Sequence, residues 1–267
     1  MSFQNLLDLL PIGALFLMFA IIAGTVSELG YRIGYWWQEH TPDEKDGPTG
    51  MIVGSLLALM AFLLAIATGM ASDRFDTRRG LVLAEANSIG TTYLRAGYLP
   101  EPASSQIRDL LRAYVPLRIV TNDTADVRVR EARSVELQTK LWSIAEELAR
   151  ATPESDVLVL FIDSLNETID LHETRVTAGI YARVPETILL LLFAGSVLAL
   201  GMVGYNAGLT RRRSPITAVV LIIVLGAVIT LVVDLDRPRD GFLKVNQQPL
   251  IDLQEQVGAL PSANPPR

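Results

Sequence analysis

Four apolar runs stand out from an otherwise polar chain: residues 9–26, 51–71, 188–205 and 216–233, none of which contains a charged side chain. Each has about the 17–25 residues that a helix needs to cross a hydrocarbon layer of roughly 30 Å. A core helix of a soluble protein shows polar positions at every turn, and these runs do not. They pair into two hairpins, with a long polar region between the pairs. Tyr31, Tyr35, Trp36 and Trp37 follow the first run, as in an aromatic belt at the lipid–water boundary. The stretch MSFQNLLD ahead of that run has no Lys or Arg, and no small-x-small site closes it, so an uncleaved span is expected rather than a signal peptide.

The region between the hairpins reads as helical throughout. Its first helix continues from the second span until Pro100 and Pro102 end it. The next, residues 103–120, carries Ile107, Leu110, Leu111, Tyr114 and Leu117 at helical spacing, with Pro116 expected to kink its last turn. The turn residues Thr121, Asn122 and Asp123 precede a third helix over 125–149, which Thr152, Pro153 and Glu154 break. A fourth helix from Ser155 is expected to run into the third span, with Pro185 near the water boundary. After the fourth span, residues 242–245 read as a short strand. Leu250, Leu253 and Val257 then form an amphipathic turn or two, and PSANPPR reads as disordered.

The expected fold is therefore all-α: a polytopic membrane protein with four transmembrane helices in two hairpins and a helical extramembrane bundle. The divisions are a first hairpin (1–71), a bundle (72–187), a second hairpin (188–233) and a tail (234–267) packed on the bundle. Small residues mark close helix approach: Ala61, Ala65 and Gly69 on the second span, and the pairs Gly50/Gly54 and Gly204/Gly208 at span ends.

Half of the residues are apolar, an unusual share for a soluble chain of this size. There is no cysteine, which removes disulfides, thiolate metal sites and Cys nucleophiles together. The formal net charge of −6, with no separate basic tract, argues against a nucleic-acid partner. Phosphate-binding glycine loops, H-E-x-x-H and G-x-S-x-G are absent, so no enzyme activity, cofactor or metal is expected. No charge lies inside a span, which weighs against a proton-coupled pump or a voltage sensor. Arg211, Arg212 and Arg213 in the short loop of the second hairpin place that loop in the cytoplasm and the bundle outside.

The candidate chemistry starts where the second span stops. Arg74, Arg78, Glu85, Ser88, Thr92 and Arg95 recur at helical spacing and share one face. With Asp76 and Asn87, this helix is the candidate ion pathway or gate: clustered guanidinium groups attract anions and form an electropositive mouth. The bland account is a salt-bridged face. Asp163, Asn166, Asp170 and Glu173 supply a complementary acidic stripe on the fourth bundle helix, and Arg175 follows it. His172 falls in the apolar register of Leu158, Leu165, Ile169 and Val176, either as a buried hydrogen-bonded group or as a pH sensor. In the tail motif, Asp234 and Asp236 at a pore entrance favour cations; alternatively they pair with Arg237 or Arg239 and anchor the helix end. Gly241 permits a sharp turn after them.

Three segments resemble a bacterial family described as bestrophin-like: RFDTRRGLVLAEANSIGTTYLRAGYLPEP after the second span, NETIDLHETRV before the third, and DLDRPRDGFLKVNQQPL after the fourth. The resemblance covers nearly the whole chain. It implies kinship with bestrophins, which are pentameric anion channels with four spans per subunit and cytosolic termini. That placement is the reverse of the one the arginine cluster favours. Two functions stand side by side: an oligomeric ion channel, for anions by resemblance, and a non-conducting scaffold or sensor whose bundle binds a partner. The expected partners are membrane lipid, further copies of the chain and an inorganic ion, in the inner membrane of a bacterium.

Overall fold

In a computed structural model, residues 3–41, 47–120, 124–237 and 241–259 are described, and every regular element among them is helical. The elements are α1 (Phe3–Leu9), α2 (Ile12–His40), α3 (Gly47–Ala96), α4 (Ala103–Arg118), α5 (Thr124–Ala151), α6 (Asp156–Ile180), α7 (Glu186–Leu209), α8 (Pro215–Asp236) and α9 (Gln248–Ala259). Four of them, α2, α3, α7 and α8, are long and apolar enough to cross a membrane. Pro11 caps α2 and separates it from α1, so the first span begins after the proline rather than at Leu9. The turn at Thr121, Asn122 and Asp123, Arg239 and the terminal PSANPPR lie outside the described residues.

The chain divides into two compact units. The first comprises Met1–Phe75 and Arg183–Lys244. Its tightest packing is α2 against α7, where glycines replace side chains on both helices. A Cβ at Gly34 would meet the Tyr205 carbonyl, and one at Gly204 would meet the Ser27 carbonyl. Gly30 likewise faces Gly201, and Gly208 faces Tyr31. This is the close backbone approach that small-xxx-small pairs allow in lipid. Around it, Leu15, Phe19, Leu64, Leu192 and Val232 form an apolar core, with Phe19 and Phe193 edge to face at 5.5 Å.

The second unit comprises Asp76–Ala182 and Val245–Arg267. The polar half of α3 packs with α4, α5, α6 and α9 around Tyr93, Ile107, Leu111, Leu141, Phe161, Leu165 and Leu250. Pro116 lies inside the last turn of α4, which nevertheless runs on to Arg118. Helix α9 is fixed by Leu250, Leu253 and Val257 on its inner face and by the Arg112 guanidinium, which donates to the Val257 carbonyl at 3.0 Å.

Two expectations are corrected. The fourth bundle helix does not run into the third span: α6 ends at Ile180, and α7 restarts at Glu186 behind Pro185. Proline at that position disfavours helix in the residue before it. Nor do residues 242–245 form a strand. The Phe242 and Leu243 amides donate to the Asp234 carboxylate at 2.7 and 3.0 Å, so a side chain takes the donors a neighbouring strand would need.

Candidate functional site

Helix α3 keeps one register over its whole length. Val53, Met60, Leu64, Ala67 and Ala71 are buried in the span, and Arg78, Val82, Glu85, Ile89, Thr92 and Ala96 continue the same face. The polar stripe is therefore turned into the protein, not toward solvent. Arg78 and Glu85 are buried, and Arg74 and Arg95 are half-buried. The opposite face carries Gly54, Ala58, Ala61, Ala65 and Gly69, then Asp76 and Asn87, all exposed. A Cβ at Gly54, Gly69 or Gly80 would meet nothing within 4 Å.

Glu85 is the centre of the inward face and is fully buried. Its Oε1 accepts from Arg118 Nε at 2.7 Å, and its Oε2 accepts from Arg175 Nη1. Arg175 also donates to the Arg118 carbonyl at 3.0 Å and to Gln247 Oε1 at 2.8 Å, so one side chain of α6 holds α3, α4 and the approach to α9. Arg118 reaches Glu131 at 3.4 Å. A carboxylate between two guanidinium groups meets the partner requirement of a buried charge. Its ionised partner offsets the desolvation of Arg118, whose guanidinium stays firmly protonated.

His172 adjoins this cluster. Its Nε2 lies 2.6 Å from Glu131 Oε1, and its Nδ1 lies 3.0 Å from the Tyr114 hydroxyl. Gln138 donates to that hydroxyl at 3.0 Å, so the Tyr114 proton points at Nδ1 and the imidazole proton sits on Nε2. Burial, then the Arg118 charge, hold the His172 pKa below its ordinary value, against the pull of Glu131. Burial likewise pushes the Tyr114 hydroxyl upward.

The acidic stripe of α6 approaches the basic residues of α3 at Arg95. Arg95 lies 3.8 Å from Asp163 and donates to the Leu160 carbonyl at 2.6 Å. Asp163, Asn166, Asp170 and Glu173 are otherwise exposed along α6, with Asn166 donating to Asp170 at 3.1 Å. Beside the Glu85–Arg175 pair, a knot of hydroxyls joins α3 to α6. Thr92 Oγ1 lies 2.9 Å from the Ser88 and Ser164 carbonyls, and Thr168 Oγ1 lies 2.8 Å from Ser88 Oγ. Asn87 stands on the rim of an open groove of about 520 Å3 between α3 and α9.

In the first unit, the tail motif is a clasp. Asp236 accepts from the Val184 amide at 2.6 Å and from Arg183 Nε at 3.1 Å; Arg183 forks onto Asp8 at 2.6 and 3.0 Å. Arg237 donates to the carbonyls of Leu7 and Leu10. Asp234 holds the amides after Gly241, whose missing Cβ leaves room for that carboxylate. The clasp thus joins the ends of α1 and α8 to the start of α7. Sequence reasoning missed Arg118, Glu131, Gln138, Asp8 and Arg183. Arg118 and Arg183 each carry a signal, a charge beside an apolar helical register or a span end, but their partners are distant in sequence.

A profile of the bestrophin-like domain matches residues 19–250. The chain belongs to the bestrophin-like family. Crystal structures of a bacterial bestrophin homologue from Klebsiella pneumoniae share its fold. The one solved by Zn-SAD phasing is 17% identical with a TM-score of 0.63, covering 92% of this chain and 95% of that one. A mutant form is 18% identical with a TM-score of 0.66, over 92% and 95% of the two chains. A second mutant form gives 19% and 0.64, over 91% and 96%. Such identity speaks for fold alone. A search of the curated proteins finds no match. This bestrophin-like chain is a helical membrane protein.

Proposed function

We propose that this bestrophin-like protein is one subunit of a homo-oligomeric ion channel of the bacterial inner membrane, with the outward face of α3 lining the path. The observation that carries the reading is the two-sidedness of α3. Only 22% of its apolar stretch is buried within the subunit, and the exposed side carries a row of small residues from Gly54 to Gly69 beside Leu59, Phe62 and Ile66. A face of that kind suits close approach of identical helices about an axis. Family membership favours the same reading.

The sign of the ion rests on two opposed considerations. Kinship with bestrophins favours anions. The exposed Asp73 and Asp76 that continue this side favour cations, with Arg78 turned inward, although the exposed Arg79 one turn from Asp76 offsets part of that charge. Symmetric copies would form a ring of Asp76 carboxylates. A non-conducting scaffold is the second reading, and the open groove between α3 and α9 is what supports it.

Purified protein reconstituted in liposomes decides between them, with chloride and potassium fluxes measured in parallel. The channel reading expects flux from a ring of several subunits by native mass spectrometry. Asp76→Asn is expected to shift the cation-to-anion flux ratio roughly two- to fivefold toward anions, the scale of one solvent-screened charge. A monomer or dimer that passes neither ion would leave the scaffold reading.

A further inference from the structure

The turn between α7 and α8 displays three consecutive arginines without burying them. Arg211 lies over the Tyr35 ring at 5.2 Å, and Arg213 lies over the Tyr31 ring at 4.9 Å. Arg213 also donates to Glu28 at 2.7 Å, and Glu28 accepts from Arg32 at 3.1 Å. Arg212 between them is exposed and has no ion pair among the described residues. Two guanidinium groups, of Arg213 and Arg32, thus share the Glu28 carboxylate, and Arg211 and Arg212 add two more positive charges to the same turn. The glycine crossing of α2 and α7 sets this up, since Gly208 lets the Tyr31 backbone lie directly against α7.

Two features set the cluster apart from an ordinary charged turn. Arg211 has φ 53°, the left-handed region that glycine occupies freely and an arginine does not. A guanidinium stacked on a ring keeps its edge N–H groups available, in the fork geometry that matches two phosphate oxygens. The surroundings are those of a lipid–water boundary. Trp36 and Trp37 are exposed beside Tyr35, and Ile216, Val219 and Val220 at the start of α8 are exposed apolar side chains.

We propose that this turn binds the phosphate of an anionic phospholipid headgroup, with the acyl chains against the exposed apolar start of α8. Arg211 over Tyr35 and the N–H groups of Arg213 not taken by Glu28 supply positioned donors, and the exposed Arg212 supplies another. A lipid rather than a free phosphate fits, because the donors adjoin exposed aromatic and aliphatic side chains. The site requires an anionic leaflet and no particular direction of insertion. It is independent of whether the protein conducts.

The test uses the full chain, delipidated in neutral detergent and titrated with phosphatidylglycerol or phosphatidylcholine of matched chains, with retained lipid counted by native mass spectrometry. Phosphatidylglycerol is expected to be retained in preference. Arg212→Gln should weaken it about fivefold, the scale of one basic side chain at an anionic surface, with the melting temperature unchanged. Arg211→Gly removes a donor while relaxing the backbone, so it should lose lipid without losing stability, an outcome that a structural role for Arg211 does not produce. Equal retention of the two lipids, or full retention by Arg212→Gln, overturns the proposal. Displacement of phosphatidylglycerol by inorganic phosphate would reassign the turn to a soluble anion and overturn the lipid assignment.

Discussion

Glu85 is a fully buried carboxylate with two guanidinium partners, and that geometry fixes what its removal does. Glu85→Ala leaves Arg118 and Arg175 charged and buried without it, and is expected to cost about 3–5 kcal/mol. Asp163→Ala on the exposed face of α6 should stay within about 0.5 kcal/mol, and paired unfolding curves in detergent check the contrast. His172 gives the pH dependence. Its folded-state pKa lies below the ordinary 6.5, so the unfolded chain binds a proton first. Its contribution is complete above that value and is lost as pH falls below it toward the folded pKa. A proton on Nδ1 would also face the Tyr114 hydroxyl while Gln138 is already donating to it. Melting temperature should therefore drop between pH 7.5 and 5.5, and His172→Leu should flatten that part of the profile. The burial of His172 was legible, because it sits in the register of Leu165 and Ile169. Its partners were not: periodicity reports which face of a helix is inward, not which residue of another helix waits there.

Between elements, glycine decides what packs. Gly34 and Gly204 have no room for a side chain, because backbone of the facing helix occupies the place of the Cβ. Gly34→Leu or Gly204→Leu is expected to cost about 3 kcal/mol or more through overpacking, read as loss of folded protein in detergent. Gly54 and Gly69 have nothing near them within the subunit. Gly54→Leu should leave the subunit folded and act on assembly instead, shifting the oligomer distribution in native mass spectrometry. These four glycines look alike in the sequence, and only the fold separates the two used inside the subunit from the two left free. The spans themselves were legible because uninterrupted apolar runs have few other uses. The end of α6 and the segment after Gly241 were not, because Pro185 and the Asp234 carboxylate act there by local chemistry that periodicity does not register.

For the whole molecule, the direction of insertion remains the expectation with the largest consequence, since two physical cues oppose each other. Arg211, Arg212 and Arg213 in a short loop place the α7–α8 turn in the cytoplasm by the bias of basic residues toward that side. Bestrophins place termini and soluble helices there instead. The absence of cysteine makes the choice readable with one substitution at a time. Asn166→Cys and Arg212→Cys each introduce the sole thiol of the chain, on exposed side chains of α6 and of the turn. If the arginine cluster governs, a membrane-impermeant maleimide applied to intact cells labels Asn166→Cys and spares Arg212→Cys. The opposite pattern would put α6 in the cytoplasm. It would also place the exposed Asp163, Asp170 and Glu173 stripe where cytoplasmic ions and proteins reach it. The side of the membrane therefore determines which compartment faces the bundle that holds the buried Glu85–Arg118–His172 cluster.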